Sequence, residues 1–206
     1  MIKKIIFLSS FVFALSCGAV FATPTYWTLT DHTTGTDGEI TSILTAENAA
    51  YESEFGLYML DDLNNVFRYT LFSITDEPTS IVSVFFDYSG SEWSVSTDKT
   101  NWTPFSNVFG FYFGVDTTDS DSDVNYYFYT DSSLNSEDVG IDHIIADFNG
   151  TSIVTLYLDD QLSSGADGDF NDMVVVATDV APVPEPATLL LLGSGLVGLA
   201  FIRRKK

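Results

Sequence analysis

The sequence predicts an all-β protein, an antiparallel β-sandwich or jelly-roll-like domain, and three observations carry that reading. Short runs rich in Val, Ile, Phe and Tyr recur along the chain, several with the two-residue alternation of a half-buried strand. The stretches between them are rich in Asp, Asn, Ser and Gly, which accept turn geometry. No segment between the two ends of the chain keeps a convincing helical period, so the strands have one another to pack against.

The elements follow in order. Strands are predicted over Glu39 to Leu44 and Phe55 to Leu60. In the next one Phe67, Tyr69 and Leu71 alternate with Arg68, Thr70 and Phe72, and Ser80 to Tyr88 is a β-branched and aromatic run ended by Ser89-Gly90. Val108 to Val115, Asn125 to Thr130, Ile144 to Phe148, Ser152 to Leu158 and Met173 to Thr178 complete the series. Phe85, Phe111, Phe128, Ile145, Leu156 and Val175 are the predicted core, since they lie inside the strongest apolar runs. Phe55-Gly56-Leu57-Tyr58 and Phe109-Gly110-Phe111-Tyr112 echo each other. Four residues do not make a repeat, and the pattern reads as two strands with glycine where a bulge or close packing is wanted.

The N-terminal end reads as a signal peptide over residues 1–22. Lys3-Lys4 precedes the apolar stretch Ile5 to Leu15, and Val20-Phe21-Ala22 supplies small residues for cleavage after Ala22 by signal peptidase. A lipoprotein reading would use Cys17, but Ala14-Leu15-Ser16 fits a lipobox poorly.

Residues 181–206 form a separate unit. Pro184-Glu185-Pro186 is followed by the apolar run Leu189 to Ile202 and then by Arg203-Arg204-Lys205-Lys206. In that order the segment resembles a PEP-CTERM sorting signal, and the resemblance implies reading by an exosortase in the inner membrane, cleavage near the triplet and release to the cell exterior. The physics fits a transient membrane anchor. A helix from Ala187 to Ile202 is about 24 Å long at ~1.5 Å per residue, short of the ~30 Å hydrocarbon core, and snorkelling by Arg203 and Arg204 closes part of that gap. Pro182-Val183-Pro184 reads as a stiff stem before the signal.

Between Ala22 and Arg203 the chain has 29 acidic residues against two basic ones, Arg68 and Lys99, a net charge of −27. Such a polyanion excludes nucleic acid and anionic lipid as partners and leaves cations and neutral surfaces. The abundance of Phe, Tyr, Val and Ile argues against disorder, and roughly 160 residues suffice for one domain with a real core. Its N-terminal part is assigned to 23–106 and a second β region to 107–180. Without Cys17 the mature chain has no cysteine, so packing or metal has to hold it.

The acidic loops carry whatever chemistry there is. Asp159-Asp160 is followed by Asp167, Asp169, Asn171 and Asp172 just before Met173-Val174-Val175-Val176. No lysine or arginine lies among them, and a hard divalent cation, calcium above all, takes several such oxygens at about 2.3–2.6 Å. The loop is not an EF-hand, for the sixth position counted from Asp167 is Asp172 and the twelfth is Thr178. The alternative is that these aspartates accept backbone N–H groups and cap turns. Asp116, Asp119, Asp121 and Asp123 read as a looser solvated stretch, and Asp131 and Asp138 could join either cluster.

Phe109-Gly110-Phe111-Tyr112, Tyr129 to Asn135, Asp142-His143, Asp159-Asp160 and Asp169 to Val174 follow the order of domain-of-unknown-function family 4114, which the stretch from Asn107 to Asp179 resembles. The resemblance implies a β-rich exported domain without an assigned reaction. Asp159 stands where that family more often has Glu. No nucleophile elbow, HExxH or P-loop is present, and His32 and His143 alone make no zinc site. The expected function is a non-enzymatic extracellular surface or biofilm-matrix protein with a calcium-stabilised sandwich. A carbohydrate-binding module that uses Trp93 and Trp102 on extracellular polysaccharide is the alternative, ahead of a carboxylate glycosidase.

Overall fold

The computed structural model describes residues 24–30, 38–47, 52–73, 76–117, 124–165 and 168–184. These residues form thirteen strands: β1 (Trp27–Leu29), β2 (Gly38–Glu47), β3 (Glu52–Leu60), β4 (Val66–Phe72), β5 (Ile81–Ser89), β6 (Glu92–Ser96), β7 (Thr103–Pro104), β8 (Val108–Asp116), β9 (Tyr126–Tyr129), β10 (Ile144–Phe148), β11 (Ile153–Leu158), β12 (Met173–Thr178) and β13 (Val180–Pro182). Among the described residues there is one 3-10 turn, Ser132–Leu134, and no α-helix. The nine predicted strands all form. The four unpredicted ones, β1, β6, β7 and β13, span two to five residues each, too few for an alternation to declare itself.

All pairings among the described residues are antiparallel. One sheet runs β13-β1-β8-β3-β4, with β9 also on β8, and the other runs β10-β11-β12-β2-β5-β6-β7. Each sheet draws strands from before and after residue 107, so the two halves of the chain build one sandwich. The facing sides share a core in which Phe86 of one sheet meets Phe109 of the other at 5.7 Å, and Trp27 meets Phe148 at 5.9 Å. Phe111, Phe128, Leu156 and Val175 are buried there, as predicted.

Phe85 and Ile145 are not core residues. The inward positions of β5 are Val84 and Phe86, and that of β10 is Ile144, which turns Phe85 and Ile145 to the outer face. Strands that read as continuous apolar runs leave this parity open, and a shift of one residue exchanges the faces. Pro182 is also more than a stem residue. It pairs with Trp27 at the end of β13, an edge strand where a missing N–H does no harm.

The first sheet has a second apolar layer on its outer face. Tyr58, Tyr112 and Tyr129 are buried there, backed by Tyr26, Val66, Tyr127 and Leu134. Their hydroxyls are engaged: Tyr112 Oη lies 2.8 Å from Thr70 Oγ1, Tyr58 Oη accepts Asp131 N–H at 3.3 Å, and Tyr129 Oη accepts Arg68 Nη1 at 2.7 Å. Arg68 also lies over the Tyr127 ring at 3.7 Å. The two F-G-x-Y segments meet within this layer, with Gly56 opposite Tyr112 and Tyr58 opposite Gly110.

Candidate functional site

The ladder register brings three aspartates together. β11 and β12 pair up to Leu158 and Met173, so the chain leaves one strand through Asp159-Asp160 at the point where Asp172 leads into the other. Asp172 N–H donates to Leu158 O at 3.2 Å and extends the ladder by one rung. On the other side of β11, Ile144 is opposite Leu158, which places His143 beside Asp159, and Asp159 N–H donates to His143 O at 3.0 Å.

One carboxylate oxygen from each of Asp159, Asp160 and Asp172 lies within 4.8 Å of the others, and all three residues are buried, at 3%, 0% and 6% exposure. Asp160 N–H donates to Asp172 Oδ2 at 2.7 Å and Gln161 N–H to Asp159 Oδ1 at 3.1 Å. Tyr126 Oη donates to the Asp160 carbonyl at 3.0 Å and closes one wall. The two basic side chains of the described residues are engaged elsewhere, Arg68 stacked on Tyr127 and Lys99 on Phe85, and the ion pair near the site is that of His143 with Asp138.

Unit charges about 4 Å apart repel by on the order of 4 kcal/mol at an effective dielectric of about 20, and burial raises the cost. Backbone donors offset part of this. A divalent cation offsets it directly, since an ion with ligands at about 2.3–2.6 Å reaches oxygens up to about 5 Å apart.

The six predicted ligands therefore divide. Asp159, Asp160 and Asp172 converge. Asp169 and Asn171 are exposed and bonded to each other, Asn171 N–H to Asp169 Oδ1 at 3.2 Å and Asn171 Nδ2 to Asp169 Oδ2, across Phe170 with its left-handed φ of 53°. Asp167 lies outside the described residues. Of the second acidic stretch Asp116 is buried at the end of β8, whereas Asp119, Asp121 and Asp123 lie outside the described residues. Asp131 caps the 3-10 turn by accepting Ser133 N–H, and it also accepts Tyr26 Oη at 3.3 Å.

Asp138 joins the three aspartates indirectly. His143 is buried and stacked on Phe128, with centroids 3.6 Å apart. Its Nε2 is 3.1 Å from Asp138 Oδ2 and its Nδ1 3.3 Å from the Asp159 carbonyl. Asp138 accepts Ser163 N–H at 2.6 Å and Ser163 Oγ at 2.9 Å, and the Ser163 N–H is the main reason its carboxyl sits below the usual range. The order Ser163–Asp138–His143 puts the carboxylate between serine and imidazole, whereas a nucleophilic relay needs the imidazole in the middle. The imidazole spans Asp138 and the Asp159 backbone and fixes the turn that carries the carboxylates. Tyr126 and Ser163 are the partners that sequence reasoning missed. Both lie on elements whose approach depends on the fold, and neither has a local signature.

Trp93 and Trp102 do not share a face. Trp93 packs against the core beside Tyr88, at 5.0 Å between ring centroids, while Trp102 is exposed. Ala22, Glu185, Pro186, Arg203 and Arg204 lie outside the described residues, and Pro184 is exposed at the end of the sandwich. Among the described residues no helix is long and apolar enough to cross a membrane.

Comparison with known families finds the PEP-CTERM protein-sorting motif over residues 182–205. The motif indicates exosortase-dependent export, with a C-terminal membrane-anchoring sorting signal and a destination at the cell surface or in the extracellular space. No curated protein and no solved structure matches the chain.

Proposed function

We propose that this is a non-enzymatic protein of the cell surface or extracellular matrix whose sandwich is stabilised by a calcium ion held between Asp159, Asp160 and Asp172. The convergence of three buried carboxylates, one oxygen of each within 4.8 Å of the others, carries the reading. The sorting motif supports it, because a protein bound for the outside meets calcium there at concentrations that suit a modest site. In this reading residues 1–22 are a signal peptide cut by signal peptidase after Ala22. The stretch from Asn107 to Asp179 is the family-4114-like part of the single exported sandwich, and the two carboxylate-bearing turns are its stabilising clasp. Asp167, Asp169 and Asn171 remain the candidates for completing the ligand set from the adjoining loop.

Calorimetry of the purified full chain in mild detergent, with calcium and after chelation, tests this. Calcium at about 100 times its Kd adds about 2.7 kcal/mol to the native state, and magnesium, which holds its waters, adds less. Asp160→Asn and Asp172→Asn should abolish the calcium-dependent rise in Tm without lowering the Tm measured under chelation, since each removes one of three crowded charges. An unchanged melt at millimolar calcium would overturn the metal reading and leave the aspartates as turn formers.

A further inference from the structure

The far end of the seven-stranded sheet carries a second candidate site. The three aspartates lie where β11 ends and β12 begins, next to the Glu47 end of β2; the opposite end of β2 starts at Gly38, which pairs with Phe86. A cavity of about 500 Å³ opens there, within the size range of small-ligand sites. Its chemistry comes from Glu39, Phe85, Asp87, Lys99, Trp102 and Asp179.

Each of these is placed by a feature of the fold. Val84 and Phe86 fill the core, so Phe85 faces outward, directly opposite Glu39. Lys99 Nζ lies 3.7 Å from the Phe85 ring centroid. The loop that carries Lys99 and Trp102 is tied by Asp98, whose Oδ1 accepts the N–H groups of Thr100 and Asn101, each at 2.8 Å. Lys99 takes a left-handed φ of 59° within that loop, and Trp102 remains 40% exposed. The walls therefore combine an open indole, a phenyl floor, three carboxylates and one ammonium.

We propose that this groove binds a neutral saccharide. The Trp102 indole offers a flat apolar face for the C–H side of a pyranose ring. Glu39, Asp87 and Asp179 are acceptor-only groups suited to pairs of sugar hydroxyls, and Lys99 is a donor for a ring or hydroxyl oxygen. Three carboxylates against one ammonium, on a chain of net charge −27 between its two ends, repel uronic or sulfated sugars. This inference does not rest on calcium, because the groove and the three aspartates occupy opposite ends of the sheet.

The test is titration of the full chain in mild detergent with neutral oligosaccharides (cello-, xylo-, manno- and malto-hexaose), and with oligogalacturonate as the acidic arm. The readout is the indole N–H resonance of Trp102, assigned through Trp102→Phe. At least one neutral hexaose should shift that resonance at micromolar to millimolar concentration. Trp102→Ala should weaken its binding about tenfold or more with an unchanged circular dichroism spectrum. Asp87→Asn should weaken it too, and Asp172→Asn, at the calcium site, should leave it unchanged. The proposal fails if no neutral hexaose moves the Trp102 signal at millimolar concentration, if Trp102→Ala binds as the parent does, or if oligogalacturonate binds best.

Discussion

The ring of Tyr58 lies across the bare backbone of Gly110. A methyl group added there would overlap Cε1 and Cζ of the ring and stand 2.6 Å from its hydroxyl oxygen. The relationship is reciprocal across β3 and β8, for a methyl on Gly56 would meet Tyr112 Cε1 at 2.7 Å and overlap the Tyr69 carbonyl. Each glycine is the slot for the other strand's tyrosine.

Gly110→Ala should therefore destabilise the fold by about 1–3 kcal/mol, the usual cost of forcing extra volume into a packed layer. Urea denaturation measures it. Gly165→Ala, whose methyl meets nothing closer than 3.7 Å, should stay within about 0.5 kcal/mol of the parent.

The F-G-x-Y echo shows what the sequence could and could not disclose. Its two copies were visible as a pattern, yet their meaning depends on the antiparallel register that sets Gly56 against Tyr112 and Tyr58 against Gly110. Strands with a clear run, such as Val108 to Val115 and Met173 to Thr178, were legible from side-chain chemistry alone. The side on which Phe85 and Ile145 face was not, because Val84-Phe85-Phe86 and Ile144-Ile145 are unbroken apolar steps in which either parity puts a large apolar side chain inward. The acidic pool was legible for the same reason as the long strands, by local density. The selection of Asp159, Asp160 and Asp172 from it needed the pairing of Leu158 with Met173, a fact about two strands together.

Alkaline pH should unfold the protein through its tyrosine layer. Burial pushes the phenols of Tyr58 and Tyr112 far above the ordinary value, and Glu54 adds to the effect at Tyr112. A folded pKa above the unfolded one contributes stability that is complete below the unfolded value of about 10 and is lost as the pH rises beyond it. Ultraviolet absorbance should show some tyrosines ionising only together with the loss of circular dichroism. Smooth ionisation of all ten in the folded state would contradict the layer.

Acid should loosen the loop from Asp98 to Trp102 before the sandwich opens. The N–H groups of Asn101 and Thr100 hold the Asp98 carboxyl well below its usual range. With a depressed folded pKa, the stabilisation is present above the unfolded value of about 3.9 and disappears as the pH falls through the folded one. Protection of the Thr100 and Asn101 amides, relative to their intrinsic exchange rates, should fall as the pH drops below about 4. Asp98→Asn should show reduced protection already at neutral pH and no further loss on acidification.

Arg68→Ala should cost about 1 kcal/mol, since it removes both a hydrogen bond to a buried phenol and a stacked cation. Arg68→Lys should recover only part of this, because an ammonium lacks the planar fork that lies on Tyr127 and reaches Tyr129 at the same time. Chemical denaturation of the three proteins decides the order.

The pairing of Pro182 with Trp27 and the 2.8 Å bond from Val183 N–H to Tyr26 O bring the chain into the sandwich and out of it at one corner. The sorting motif begins at that same residue 182. Tension on the membrane-side tail thus reaches the domain through β13, an edge strand joined to β1 by three residue pairs. Pulled from its end, such a strand yields rung by rung, starting at the Val183–Tyr26 bond and the pair of Pro182 with Trp27 and ending at Val180, the residue by which it is seated in the core. The mechanical strength of the tether is that of this short zipper, however stable the sandwich behind it.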